Sequence, residues 1–111
     1  MIEVNFNAWG ENHRARFERS QYVDNGNLYI GVSTWSEEWG AWEPWCDLTV
    51  NLGIETAKNE AFIDTNNCSP DLINVLFEKG YMIDTGIVRP SGFCIYPLAR
   101  FTNEFLKGIE D

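Results

Sequence analysis

Tyr22-Val23-Asp24-Asn25-Gly26-Asn27-Leu28-Tyr29-Ile30 sets an Asn-Gly pair between two β-rich runs, and that pair makes the chain an antiparallel one. Asn-Gly readily supplies the two positive φ angles of a type I′ turn, whose twist matches that of the strands it joins. Strands over residues 12–24 and 27–36 follow. With Asn25 and Gly26 as the loop, Asp24 pairs with Asn27, Val23 with Leu28, Tyr22 with Tyr29, Phe17 with Thr34 and Arg16 with Trp35. Cross-strand partners share a face. This register therefore turns Ala15, Phe17, Val23, Leu28, Ile30 and Val32 towards a core, with Arg14, Arg16, Tyr22, Tyr29 and Trp35 on the other side. It also stacks Arg16 on Trp35 and brings Arg14 near Glu37.

Working outward, Ile2, Val4 and Phe6 alternate with polar residues as a first strand. Beyond the hairpin, Cys46, Leu48, Val50 and Leu52 alternate with Trp45, Asp47, Thr49 and Asn51, a strand that stops at Gly53. The run Ala61-Phe62-Ile63 leads into Asp64-Thr65-Asn66-Asn67, whose side chains favour a turn. Ser69 then reads as an N-cap, Pro70 as the first helical residue and Asp71 as a complement to the helix dipole. Leu72, Ile73, Val75, Leu76 and Phe77 form the apolar face of that helix, which Lys79-Gly80 ends. Tyr81–Val88 and Gly92–Tyr96 form a closing hairpin around Arg89-Pro90-Ser91-Gly92, and Pro97 ends its second strand. Leu98, Phe101, Phe105 and Ile109 recur at helical spacing. The fold class is α+β: one antiparallel sheet of about five to six strands with two short helices packed on one face. Residues 1–111 make a single domain.

The 111 residues are 44% hydrophobic and hold five Trp, four Tyr and seven Phe, enough to fill a core. Lys and Arg number 8 against 17 Asp and Glu, a net charge of −9 that repels phosphate backbones and attracts basic surfaces. Direct nucleic-acid binding is therefore not expected. Cys46, Cys68 and Cys94 have no C-x-x-C spacing and one histidine to assist them, so no metal or other cofactor is expected. An odd cysteine count and no apolar leader predict a reduced, cytoplasmic protein, and no run is long enough for a membrane span.

Trp35-Ser-Glu-Glu-Trp39-Gly-Ala-Trp42-Glu-Pro-Trp45 gathers four of the five tryptophans with Glu37, Glu38 and Glu43. Large amphipathic rings concentrate at protein interfaces, so this segment is the candidate binding surface, with Arg16, Tyr22 and Tyr29 beside it. At least two of the four rings are expected to be substantially exposed in the isolated chain or buried against a neighbouring one. The alternative is that two or three of them form a second small core.

Several short motifs suggest chemistry. Asp84-Thr85-Gly86 copies the aspartic-protease triplet but falls late in the chain, and its glycine also suits a bulge or turn. Asp64 and Asp84 could serve as an acid–base pair only if folding brings them together. His13 stands near no recognisable nucleophile. Cys68, beside a helix N-terminus, could have a lowered pKa. No catalytic residue is assigned.

The stretches Leu48-Thr49-Val50-Asn51-Leu52, Ile63-Asp64-Thr65-Asn66-Asn67, Thr85-Gly86, Ser91-Gly92-Phe93 and Tyr96-Pro97-Leu98 with Phe101 resemble a family of small uncharacterised bacterial proteins. That family is described as a domain of unknown function, often on mobile elements or in gut Firmicutes. The resemblance spans residues 41–106. It implies a bacterial cytosolic accessory protein. The leading expectation is thus a non-enzymatic protein-binding accessory or inhibitory factor that engages a basic protein surface or associates with itself. A mimic of DNA acting on a basic partner is a special case. The alternative is a small-ligand or carbohydrate-binding module that stacks sugars on exposed tryptophans.

Overall fold

A computed structural model describes residues 2–109. Four strands follow one another as an antiparallel meander: β1 (Glu3–Ala8), β2 (Glu11–Gln21), β3 (Leu28–Ser36) and β4 (Ala41–Asp47). The expected single sheet of five to six strands is instead two sheets of four strands each. The second contains β5 (Thr49–Val50), β6 (Glu60–Ile63), β7 (Met82–Ser91) and β8 (Cys94–Phe101) in the order β5-β6-β8-β7. Helix α1 (Pro70–Glu78) connects β6 to β7 and packs against β1 and β7; α2 (Asn103–Gly108) follows β8.

The division into two sheets occurs at Leu48. Its N–H donates to the carbonyl of Ile30 at 2.9 Å and its carbonyl accepts from Asp64 N–H at 2.9 Å, so one residue stitches β3 to the end of β6. The alternation from Cys46 to Leu52 therefore does not belong to one strand. Leu48 is fully buried at the crossing, and so is Thr49, expected on the outer face. The Thr49 hydroxyl accepts from Ile30 N–H at 3.2 Å and meets the Tyr22 hydroxyl at 3.0 Å, which satisfies a polar group in the interior.

The hairpin at Asn25-Gly26 forms, with a different register. Gln21 opposes Leu28, Phe17 opposes Val32 and Arg16 opposes Ser33. Tyr22 N–H donates to Asn27 carbonyl at 2.9 Å and Gly26 N–H to Tyr22 carbonyl at 2.9 Å, so the loop has four residues, Val23 to Gly26. Only Gly26 among them has a positive φ, 73°. The Asn25 side chain instead accepts from Asn27 N–H at 3.1 Å and donates to Asn51 at 3.1 Å, trading the αL position for an Asx turn tied to the following connection. A slip of two residues preserves strand parity. Ala15, Phe17, Leu28, Ile30 and Val32 are accordingly buried as expected, while Val23 sits exposed at the loop tip.

Helix α1 starts where expected, with Ser69 at the N-cap position, Pro70 in the first turn and Gly80 at φ 73° beyond the end. Tyr81 N–H reaches Leu76 carbonyl and Gly80 N–H reaches Phe77 carbonyl, both at 3.0 Å, the paired bonds of a Schellman ending. Ser69 makes no capping bond through its side chain. Asp71 instead accepts the backbone N–H of Asn7 at 2.6 Å, anchoring β1 to the helix. The functioning side-chain cap is Thr102 on α2, whose hydroxyl accepts from Phe105 N–H at 3.2 Å. Thr102→Ala is expected to cost about 1 kcal/mol in urea unfolding and Ser69→Ala less than about 0.5 kcal/mol; equal losses would contradict the assignment of caps.

The proposed C-terminal helical stripe divides likewise. Leu98 and Phe101 belong to β8, which continues through Pro97, and among the described residues Phe105, Leu106 and Ile109 are buried from the helical end. Pro97 is tolerated because β6 pairs β8 only at Leu98, Ala99 and Arg100, leaving that side of Pro97 unpaired. Pro90, expected in the turn, lies in β7, the free edge of its sheet; the turn is Gly92-Phe93, with Gly92 at φ 60°. One hydrophobic cluster draws on both sheets and both helices. Phe105 lies at its middle, with ring centroids 5.2 Å from Phe17, 5.3 Å from Tyr81 and 5.6 Å from Phe101.

Candidate functional site

The tryptophan segment does not form one patch. It turns at Glu37–Gly40 and returns as β4, the edge of the first sheet. Trp35 and Trp42 are cross-strand partners on the outer face, rings 5.5 Å apart and edge-on at 70°. Arg14 lies over both, 5.7 Å from Trp35 and 5.0 Å from Trp42, and Arg16 lies 4.6 Å over Trp42. Arg16 was expected on Trp35, and the two-residue change of register moves it to the neighbouring ring. Glu3 pairs with Arg14 through a short contact, which holds the Glu3 carboxyl below its usual range and the guanidinium above its own. The two half-buried tryptophans are thus covered by arginines rather than bordered by acids.

Trp45 goes elsewhere. Between Val32 and Ser33 the register shifts, so that Pro44 opposes Ser33, Cys46 opposes Val32 and Trp45 is the extra residue of a bulge. Its ring meets Phe6 at 5.8 Å, His13 at 4.7 Å and Trp9 at 5.3 Å. Of the four rings, only Trp39 is substantially exposed, at 70%, beside the exposed Glu37 and Glu38. The expectation of two exposed rings is corrected to one. Glu43 is exposed along β4.

Tyr22 and Tyr29 have structural work. Tyr22 donates to Thr49 carbonyl at 3.1 Å; Tyr29 donates to the Asp47 carboxylate at 2.7 Å. The Tyr29 ring lies so close to Gly31 that a Cβ there would come within 2.6 Å of its hydroxyl oxygen. Burial and the Asp47 carboxylate push the Tyr29 hydroxyl well above its ordinary 10, and burial raises Tyr22 as well. Both are neutral in the fold, so their contribution to stability is complete below pH 10 and declines as pH rises further. Urea midpoints are expected to fall as pH rises from about 10 to about 12, and less steeply in Tyr22→Phe/Tyr29→Phe. An identical slope in that variant would show that other groups are responsible.

The remaining motifs also resolve. Asp84-Thr85-Gly86 is a bulge in β7: the Asp84 carboxylate accepts from Gly86 N–H at 2.8 Å, Gly86 has φ 83°, and the Thr85 hydroxyl donates to Leu98 carbonyl at 2.8 Å. Asp64 accepts from Asn67, backbone and side chain, at 3.1 and 2.9 Å. The free thiols of Cys46 and Cys68 approach to 2.9 Å, and the hydrogen bond between them together with burial pushes Cys68 up, opposite to the lowering considered from its helix-end position. Among the described residues, no three or more His, Cys, Asp and Glu side chains are grouped as metal ligands.

A surface that sequence reasoning missed is the outer half of the β7–β8 hairpin. Beyond the bulge, Val88 opposes Pro97 and Pro90 opposes Ile95. These four continue the face of the buried Ala99 and Phe101 past the end of the core, since alternate residues of β8 share a side. Val88 is 51% and Ile95 64% exposed, and Phe93 stands fully exposed at the tip. Ile83 and Ile87, nearer the body, are about half exposed. The signal was present in the sequence: of the eleven residues Ile87 to Pro97 only Arg89 is charged.

These features define a small acidic α+β domain of two antiparallel sheets with an uncovered apolar arm. The chain belongs to the family described as a domain of unknown function, DUF4313, which matches residues 17–111 and so takes in the tryptophan segment and the Asn-Gly hairpin outside the narrower resemblance. No curated protein and no solved structure matches it.

Proposed function

We propose that the protein is a non-enzymatic protein-binding module, an accessory or inhibitory factor, whose contact element is the β7–β8 arm. The observation that carries this reading is the uncharged apolar face of Val88, Pro90, Ile95 and Pro97, capped by Phe93 and extending beyond the core. Two strands with nothing over their apolar face are marginal in water. A second copy supplies the missing layer. The face is free of charge, with Arg89 and Tyr96 on the opposite side, so a two-fold contact avoids like-charge repulsion despite the net −9. A patch of this kind is on the order of a few hundred Å², so a pair of copies would bury an area at the low end for specific interfaces. A reversible dimer in the micromolar range follows.

The acidic field supports a basic surface as the external partner, and such an association slows as salt rises, whereas arm-to-arm contact is nearly salt-indifferent. Sedimentation equilibrium tests the arm. Dimerisation with a dissociation constant on the order of 1–100 µM, little changed between about 0.05 and 0.5 M salt, is expected. A protein that stays monomeric to about 0.5 mM contradicts the proposal.

A further inference from the structure

We infer that a cleft beside Trp9 is a binding site for an organic ammonium group. The cleft, about 530 Å³, lies between the β1–β2 turn, Trp45 on β4 and the first turn of α1, and its size is that of a small-molecule site. Trp9, Trp45, Ser69, Pro70 and Asp71 are among the residues that line it.

Trp9 is held in an uncommon backbone conformation. It occupies the first position of the two-residue turn between Ala8 and Glu11, with φ 51°, followed by Gly10 at φ 75°. Turns with two positive φ angles favour Asn, Asp and Gly, and a bulky residue there is an outlier. Burial does not account for it, because Trp9 is 86% exposed. Strain kept at an exposed aromatic residue points to what that residue contacts. The Trp9 ring is 5.3 Å from Trp45 and tilted by 50°, so the two indoles make a corner rather than a flat platform. A flat sugar ring stacks best on one face; a compact cation contacts two.

Charge selects the same class. Asp71 is the one Asp, Glu, Lys or Arg lining the cleft, and among the described residues no Lys or Arg pairs with it. Its carboxylate is fixed by Asn7 N–H at 2.6 Å. The Ser69 hydroxyl makes no capping bond and is available to a ligand. Cys68, which also lines the cleft, is neutral. Two indoles and a fixed carboxylate are elements that recognise alkylated ammonium groups; the full charge of Asp71 exceeds the partial positive charge at the N-terminal end of α1, and the net −9 adds to it in repelling anions. The volume also accommodates the alkyl chain that carries the charge, as in a lysine or methylated lysine side chain.

The test titrates the protein with choline, with Nε-trimethyl-lysine and with 3,3-dimethylbutanol, the uncharged isostere of choline, following the indole N–H resonances by NMR. Both cations are expected to bind with millimolar or better affinity, at least about tenfold tighter than the isostere. Trp9→Gly is expected to weaken cation binding by about tenfold while leaving the unfolding midpoint unchanged or raised, because it relieves the turn. Asp71→Asn is expected to weaken it by several-fold. Equal binding of the isostere, full retention of affinity in Trp9→Gly, or no response to choline at about 50 mM overturns the assignment. A methyl glucoside that binds as well as choline overturns it in favour of a sugar.

Discussion

Phe105→Ala is expected to destabilise the protein by about 3–5 kcal/mol, the cost of removing a buried phenylalanine and leaving a cavity. Phe105 has no exposed surface and holds Phe17 of the first sheet, Phe101 of the second and Tyr81 at the end of α1. The void would open where the two sheets meet, and the surrounding strands cannot close it without breaking register. Domains of this size have about 5–15 kcal/mol in total, so the variant should lie close to the limit of folding. Urea unfolding measures it, with Trp39→Ala as a surface control expected to change stability by less than about 0.5 kcal/mol. A loss below about 1 kcal/mol for Phe105→Ala would mean that the two sheets do not share this core.

Phe93→Asp/Ile95→Asp is expected to raise the dimer dissociation constant at least about a hundredfold, equivalent to about 2.7 kcal/mol. Each carboxylate would face an apolar surface and, by the two-fold, a like charge at close range. Both residues are exposed in the isolated chain, so the urea midpoint at low protein concentration should hardly move. That separation of association from stability distinguishes an interface from a structural arm. If the double variant dimerises as the parent does, the contact lies elsewhere, and the β4 edge is the next surface to examine.

The elements legible in the sequence were those fixed by local chemistry. Pro70 and Gly80 bound α1 because each suits one end of a helix by its own backbone preference. Period-two burial placed Val4, Phe6, Phe17, Ile30 and Val32 inward, and it survived the change of register because the loop grew by two residues, an even number that keeps each side chain on its face. What was not legible depended on distant partners. Leu48 breaks an apparently continuous strand through bonds to Ile30 and Asp64, which no local pattern reports. Asn25 could serve an αL turn or an Asx turn, and its bond to Asn51 selects the second.

The candidate site was legible only in part. Trp35 and Trp42 lie together on the outer face as the alternation implies, but the bulge that turns Trp45 towards Phe6 and Trp9 is a tertiary feature. The apolar arm had a sequence signal in Ile87 to Pro97, masked by the readings of Pro90 as a turn residue and Pro97 as a strand end. Both prolines are accommodated on strand sides that carry no ladder bonds.

Amide hydrogen exchange as a function of protein concentration tests most directly whether the arm is the contact element. Residues 87–97 should become more protected as concentration rises through the dimer dissociation constant, while β4 and the Trp9 turn remain unchanged. Exchange of the arm that is the same at all concentrations, or protection confined to β4, would contradict the assignment.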